Sequence, residues 1–194
     1  MEEKEVLSVF HEMFDKALPI LKNLKEGFNK ENGTLLKEEA KKFGSIIKSY
    51  VPFFDGIAKK REKDNTEKKA IELLTIAQMI AAGIENLATK MILKVESSIL
   101  FSEKAKKEIS DLLDEVVTEL RDLKDFVLTK NPELRKKIDE RTQKIIKMAY
   151  DFDSTHQRRL ITGICMPQAS YIYLDMTDSI RKISREMRNL AEKV

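Results

Sequence analysis

Residues able to do chemistry are few in this sequence, and they are far apart. The two histidines, His11 and His156, stand at opposite ends of the chain. His11 follows Phe10, a core position of an amphipathic run, where a partly buried and hydrogen-bonded imidazole is the expected role. His156 comes shortly before Gly163 and is expected to position the turn there. Cys165 is the sole cysteine. A reactive thiolate needs a neighbouring cation or a helix N-terminus. Arg158 and Arg159 are near in sequence, but an inert thiol closing the turn is the expected role. Asp151, Asp153 and His156 have the composition of a metal cluster. On a helix, residues two apart point different ways, so only Asp153 and His156 share a face, and two ligands do not make a site. The chain contains no Gly-x-Gly-x-x-Gly. A carboxylate-bridged di-metal centre on a helical bundle needs paired Glu-x-x-His motifs, and the sequence has none. No catalytic residue and no cofactor are expected, and the chain reads as a non-enzyme.

Composition bounds the partners. The chain has 194 residues, of which 36% are charged, and a formal charge of only +3. A nucleic-acid footprint is a one-signed patch with interleaved aromatics. The most basic stretch, 130–147, still contains Glu133, Asp139 and Glu140, so no nucleic-acid partner is expected. With one cysteine, no disulfide can form within the chain, which fits a reducing compartment. No uninterrupted apolar run reaches the ~18 residues of a membrane span. The richest stretch, 70–84, is broken by Glu72 and Gln78, and the opening MEEKE has no signal-peptide character. The expectation is a cytoplasmic protein, peripheral to a membrane at most. The same pattern would suit the cytosolic tail of a membrane protein.

The elements that must carry these residues are helices. Leu7, Phe14, Leu21 and Phe28 recur every seven positions, with Phe10, Ala17 and Leu24 between them, which predicts a helix over about 3–28. Pro19 should kink it. A second helix is expected over about 35–63, bent near Tyr50 by Pro52, with its end in the charge run 59–64. The third should run over about 66–97 with an ordinary cap at Thr66. It carries Ile71, Leu74, Met79, Ala82, Leu87, Met91 and Leu93 on more than one side, as a central helix would. Ser102 caps a fourth over about 103–129, along which Ile109, Leu112, Val116, Leu120, Leu123 and Val127 form one seam. Asn131 and Pro132 open a fifth, to about 160. Gly163 is expected at positive φ behind it, and a sixth helix begins near Gln168. Ile172, Met176, Ile180, Ile183, Met187, Leu190 and Val194 stripe that last helix at steps of three and four.

The two halves echo one another. Glu85-Asn86-Leu87-Ala88 aligns with Arg188-Asn189-Leu190-Ala191 at an offset of 103, and the helix breaks fall at matching places. The fold expected is all-α: six long helices in two pseudo-repeated antiparallel three-helix bundles, residues 1–97 and 98–194.

The last forty residues carry His156, Arg159-Leu160, Gly163, Cys165, Pro167, Leu174-Asp175 and Asn189-Leu190-Ala191-Glu192. In these residues and their order they resemble the C-terminal hairpin of PhoU-like domains, most of all those attached to sodium/phosphate cotransporters. It implies a fold of two three-helix bundles and a role in phosphate uptake or its signalling. The partner implied is a phosphate transporter or its signalling complex, and a homodimer is compatible with it. The family's metal signature pairs a Glu with an Asp one turn later. Counted back from Asn189, those positions hold Arg181 and Arg185, and in the first repeat Gln78 and Ala82. No multinuclear metal cluster is therefore expected. Glu72, Asp175 and Asp178 remain as weak candidates for a single ion, with Glu186 as a fourth candidate, and Asp175 and Asp178 are more simply read as partners of Arg181 or Lys182. The function expected is a non-enzymatic regulatory module acting through helix surfaces. A generic helical scaffold or oligomerisation domain is the alternative.

Overall fold

A computed structural model describes residues 2–60, 62–163 and 166–194. Six α-helices account for nearly all of them: α1 (Glu3–Asn29), α2 (Gly33–Ala58), α3 (Asn65–Glu96), α4 (Glu103–Thr129), α5 (Pro132–Ile161) and α6 (Pro167–Lys193). No strand occurs among the described residues. Links of two to six residues force each helix to run antiparallel to the one before it.

The helix ends follow local chemistry. The side chains of Asn32, Ser102 and Asn131 accept from the backbone N–H groups of Leu35, Ala105 and Glu133, satisfying donors that a helix start leaves open. Pro132 and Pro167 take first-turn positions. Gly163 has φ +74°, the left-handed conformation expected after α5. The start of α3 differs from the expectation. Its N-cap is Asp64, not Thr66, and a full capping box forms: Glu67 N–H donates to Asp64 at 2.8 Å, while the Glu67 carboxylate accepts from Asp64 N–H at 3.2 Å. That start also shortens α2, which ends at Ala58 rather than near Lys63. Pro19 and Pro52 interrupt neither α1 nor α2. Both prolines are exposed, so water can reach the carbonyl that each leaves without a donor.

The buried side chains form one continuous apolar cluster. α3 packs most extensively on α6, and α1 on α4. α2 bridges α1 and α3, α5 bridges α4 and α6, and α4 also meets α6 directly. Gly83 lets α3 lie close against α6: a Cβ there would sit 2.6 Å from Cγ1 of Ile183. The α6 stripe is buried from Ile172 to Leu190, with Val194 half-buried at its end. In α3 the buried face is Ala70, Leu73, Ile76, Ala77, Ile80, Ala81, Ile84, Leu87 and Met91. Met79, Ala82 and Leu93, read from sequence as core bulk, are exposed. By length and composition alone α3 could cross a membrane, with a mean hydropathy of 1.3 over 18 residues. Here its apolar face lies on α2 and α6.

Candidate functional site: the polar seam between α4, α5 and α6

Glu108, Asp153, His156, Arg159, Ser170, Tyr173 and Thr177 are buried together, although each of the seven carries a charge or a hydrogen-bonding group that water would solvate well. Their helices explain the arrangement. Glu108 falls in phase with Ala105, Ile109 and Leu112 on the inner face of α4. Asp153, His156 and Arg159 lie three apart on α5, and Ser170, Tyr173 and Thr177 at steps of three and four on α6. Three inward faces therefore meet along one line.

Arg159 and Glu108 form a two-pronged pair, Nη1 to Oε1 at 2.9 Å and Nη2 to Oε2 at 2.7 Å. Tyr173 donates its hydroxyl to the same Glu108 Oε2 at 2.7 Å. Burial, and then the carboxylate it binds, push the Tyr173 phenol far up, so it stays a donor. The His156 ring stacks on Tyr173 with centroids 4.3 Å apart, and its Nε2 lies 2.8 Å from Ser170 Oγ. Burial, then the nearby Arg159 charge, hold the imidazole below its usual pKa, so the neutral ring is the resident form. One turn further along α6, Thr177 donates to Asp153 Oδ1 at 2.8 Å, and Arg181 donates to Asp153 Oδ2. These groups fix the α5–α6 hairpin onto α4 by binding one another. His156 thus positions the hairpin, as expected. Asp153 shares its face with His156, and Asp151 points to solvent.

The positions of the metal signature behave differently from one another. Arg181 is drawn inward by Asp153 and lies 3.5 Å from Asp178, with its guanidinium over the Tyr150 ring. Arg185 is exposed, so the two arginines do not form one positive patch as their spacing suggests. Gln78 and Ala82 are exposed on α3. Asp178 pairs with Lys182 at 2.7 Å as expected, and Lys182, then Arg181, hold its carboxyl below the usual range. Asp175 does not pair with Arg181 or Lys182; it binds Lys90 of α3 at 2.5 Å, because its side of α6 faces α3. Glu72 is exposed and binds Lys193 at 2.6 Å. Glu72 is thus held at the C-terminal end of α6 by Lys193, which lies ~27 Å beyond Asp175 along the helix at 1.5 Å per residue. The weak candidates Glu72, Asp175 and Asp178 are therefore not brought together. Glu186 accepts from Asn189 at 3.1 Å. Among the described residues, no three His, Cys, Asp or Glu side chains converge as a metal-binding group. His11 is half-buried on α1, and Cys165 lies outside the described residues.

Above the seam, at the end where α4 and α6 begin, a cavity of about 290 Å³ is lined by Leu100, Phe101, Ser102, Ala105, His156, Met166, Ala169 and Tyr173. Sequence reasoning missed Glu108 and Tyr173. Glu108 carried a signal, since a charged residue in phase with an apolar seam must find a partner inside.

Comparison with family models, with curated proteins and with solved structures finds no match in any of the three.

Proposed function

We propose that this protein is a non-enzymatic PhoU-like regulatory module. It tunes phosphate uptake or phosphate signalling by contact with a transporter or its signalling complex at the inner face of the membrane. The observation that carries the reading is the use made of the hairpin residues. His156, Arg159 and Gly163, which carry the resemblance, build the α5–α6 hairpin and its seam with α4, and the ionisable groups of that seam are engaged with one another. The same chain segment that suggests the family is thus a structural one, and the surfaces left for work are helix faces.

The packing order supports two repeated three-helix bundles, 1–97 and 98–194. α1, α2 and α3 contact one another as α4, α5 and α6 do, and each bundle meets the other through equivalent helices, α1 with α4 and α3 with α6. The N-terminal and C-terminal ends lie side by side, since Lys69 binds both Glu3, at 2.8 Å, and the Val194 carbonyl, at 3.2 Å. Affinity capture from native membranes, followed by mass spectrometry and reciprocal capture on the transporter, tests the partner. Reciprocal enrichment of a phosphate transporter or its sensor is expected. Stoichiometric self-association with no such partner would favour a scaffold or oligomerisation domain instead.

A further inference from the structure

Glu119 occupies the interior of the second half, on the face of α4 that α5 and α6 cover, and its exposure is 0%. Thr142 of α5 and Ser184 of α6 flank it and are just as deeply buried. Thr142 donates its hydroxyl to Glu119 Oε1. The other oxygen, Oε2, has no hydrogen-bond partner among the described residues, and neither has Ser184 Oγ. An ionised carboxylate here would hold a full charge out of water with only the neutral Thr142 and Ser184 hydroxyls beside it, an arrangement that buried carboxylates avoid by keeping their proton. The neutral acid removes that buried charge.

Among the described residues, the neighbouring cations are each engaged by other carboxylates. Arg141 of α5 binds Glu115 at 2.6 Å and approaches Asp122 at 3.6 Å, one turn to either side of Glu119 on α4. Lys144 of α5 binds Glu115 at 2.7 Å. On α6, Arg181 is held by Asp153, and Arg188 by Glu192 at 3.1 Å and Asp139 at 3.3 Å. α1 covers the far side of α4, where its Asp15, Lys25 and Asn29 reach Lys124, Asp114 and Ser110. Burial pushes the Glu119 carboxyl up to about 7, against the opposing pull of Thr142, Ser184 and Arg141.

We propose that Glu119 couples protonation to the closure of α4, α5 and α6: the closed half holds it as a neutral acid, and losing its proton to solvent loosens these three helices. The inference is independent of the phosphate reading. An exposed carboxyl ionises near 4.5, so the closed half retains a proton that an opened half releases. This contribution to closure is complete below pH 4.5 and is lost as pH rises through about 7. Between those limits the ratio of open to closed forms rises on the order of a hundredfold.

Hydrogen exchange of the full chain at pH 5.5 and 8.0, corrected for intrinsic rates, tests it on the wild type and on Glu119→Gln, which keeps the shape and cannot ionise. Raising the pH should cost α4–α6 on the order of tenfold more protection in the wild type than in the variant. Effects of other groups, His156 included, are common to both proteins and cancel. Equal pH dependence in the two proteins would overturn the proposal. Should the variant fail to fold, the carbon chemical shift of the wild-type Glu119 carboxyl decides: a titration midpoint above about 6 supports the switch, and one at or below about 6 refutes it.

Discussion

Arg181 on α6 donates to Asp153 on α5, and its guanidinium carbon lies 4.9 Å from the centroid of the Tyr150 ring. A position that the family resemblance marks for a carboxylate thus carries a cation that ties two helices together. Most of this pair is out of water, with side-chain exposures of 11% and 12%. Breaking it leaves the Asp153 charge inside with Thr177 as its one hydrogen-bond donor among the described side chains.

Arg181→Glu should therefore change two observables. Without metal, the variant should lose roughly 3–5 kcal/mol of stability, the usual cost of removing one partner of a buried pair. The new carboxylate would also stand near Asp153 and Asp178, a set suited to a hard divalent cation. Titration calorimetry with manganese should detect binding to the variant and none to the wild type. Adding Arg185→Asp should strengthen it only slightly, because Arg185 is exposed.

The Glu108–Arg159–Tyr173 cluster predicts a graded series. Glu108→Ala strips the buried guanidinium of both its carboxylate bonds and should destabilise by roughly 3–5 kcal/mol in urea unfolding. Tyr173→Phe removes one donor from Glu108 and keeps the ring against His156, so roughly 1–2 kcal/mol is expected. Equal losses would mean that the cluster is not organised around Glu108.

Much of this fold is legible in the sequence where a local rule has no competitor. Asn131-Pro132 and Ser102 start their helices at the expected residues, and Gly163 ends α5 as expected. The start of α3 was readable too, in Asp64-Asn-Thr-Glu67, but Thr66 masked it as a rival cap. The facing of α3 was not readable. Its apolar residues surround the helix, so periodicity cannot choose a side, and the partners α2 and α6 decide that Ile80 is buried and Met79 is not. The polar seam was half visible. Spacing placed Asp153 beside His156, whereas the pairing of Arg159 with Glu108 and of Asp175 with Lys90 depends on contacts across helices distant in sequence.

Gly163→Val should cost about 1–2 kcal/mol in thermal unfolding. The cost is one of backbone conformation, since φ is +74° and no described residue lies within 4 Å of where a Cβ would stand. Gly163→Asn should cost less, because asparagine tolerates the left-handed region better. A common loss for both would point to a steric cause instead.

Acid should weaken the second half through His156. Its folded pKa lies below 6.5, so the unfolded chain takes up the proton first. The stabilisation is present above pH 6.5 and is lost as pH falls through the folded value. Glu119 acts in the opposite sense over this range, so the measurement is comparative: the change in melting temperature from pH 7 to 5 should be more favourable in His156→Gln, whose limb lacks the titrating imidazole, than in the wild type. A limb unchanged in the variant would assign the acid sensitivity elsewhere.

Phosphate uptake is the most direct measure of the regulatory claim. Cells lacking the gene should take up radiolabelled phosphate at an altered rate under both replete and starved conditions. The wild-type chain should restore the original rate, and a variant with charge reversals on its exposed helix faces that folds normally should not. Uptake and starvation response indistinguishable from the parent strain would contradict a role in phosphate homeostasis.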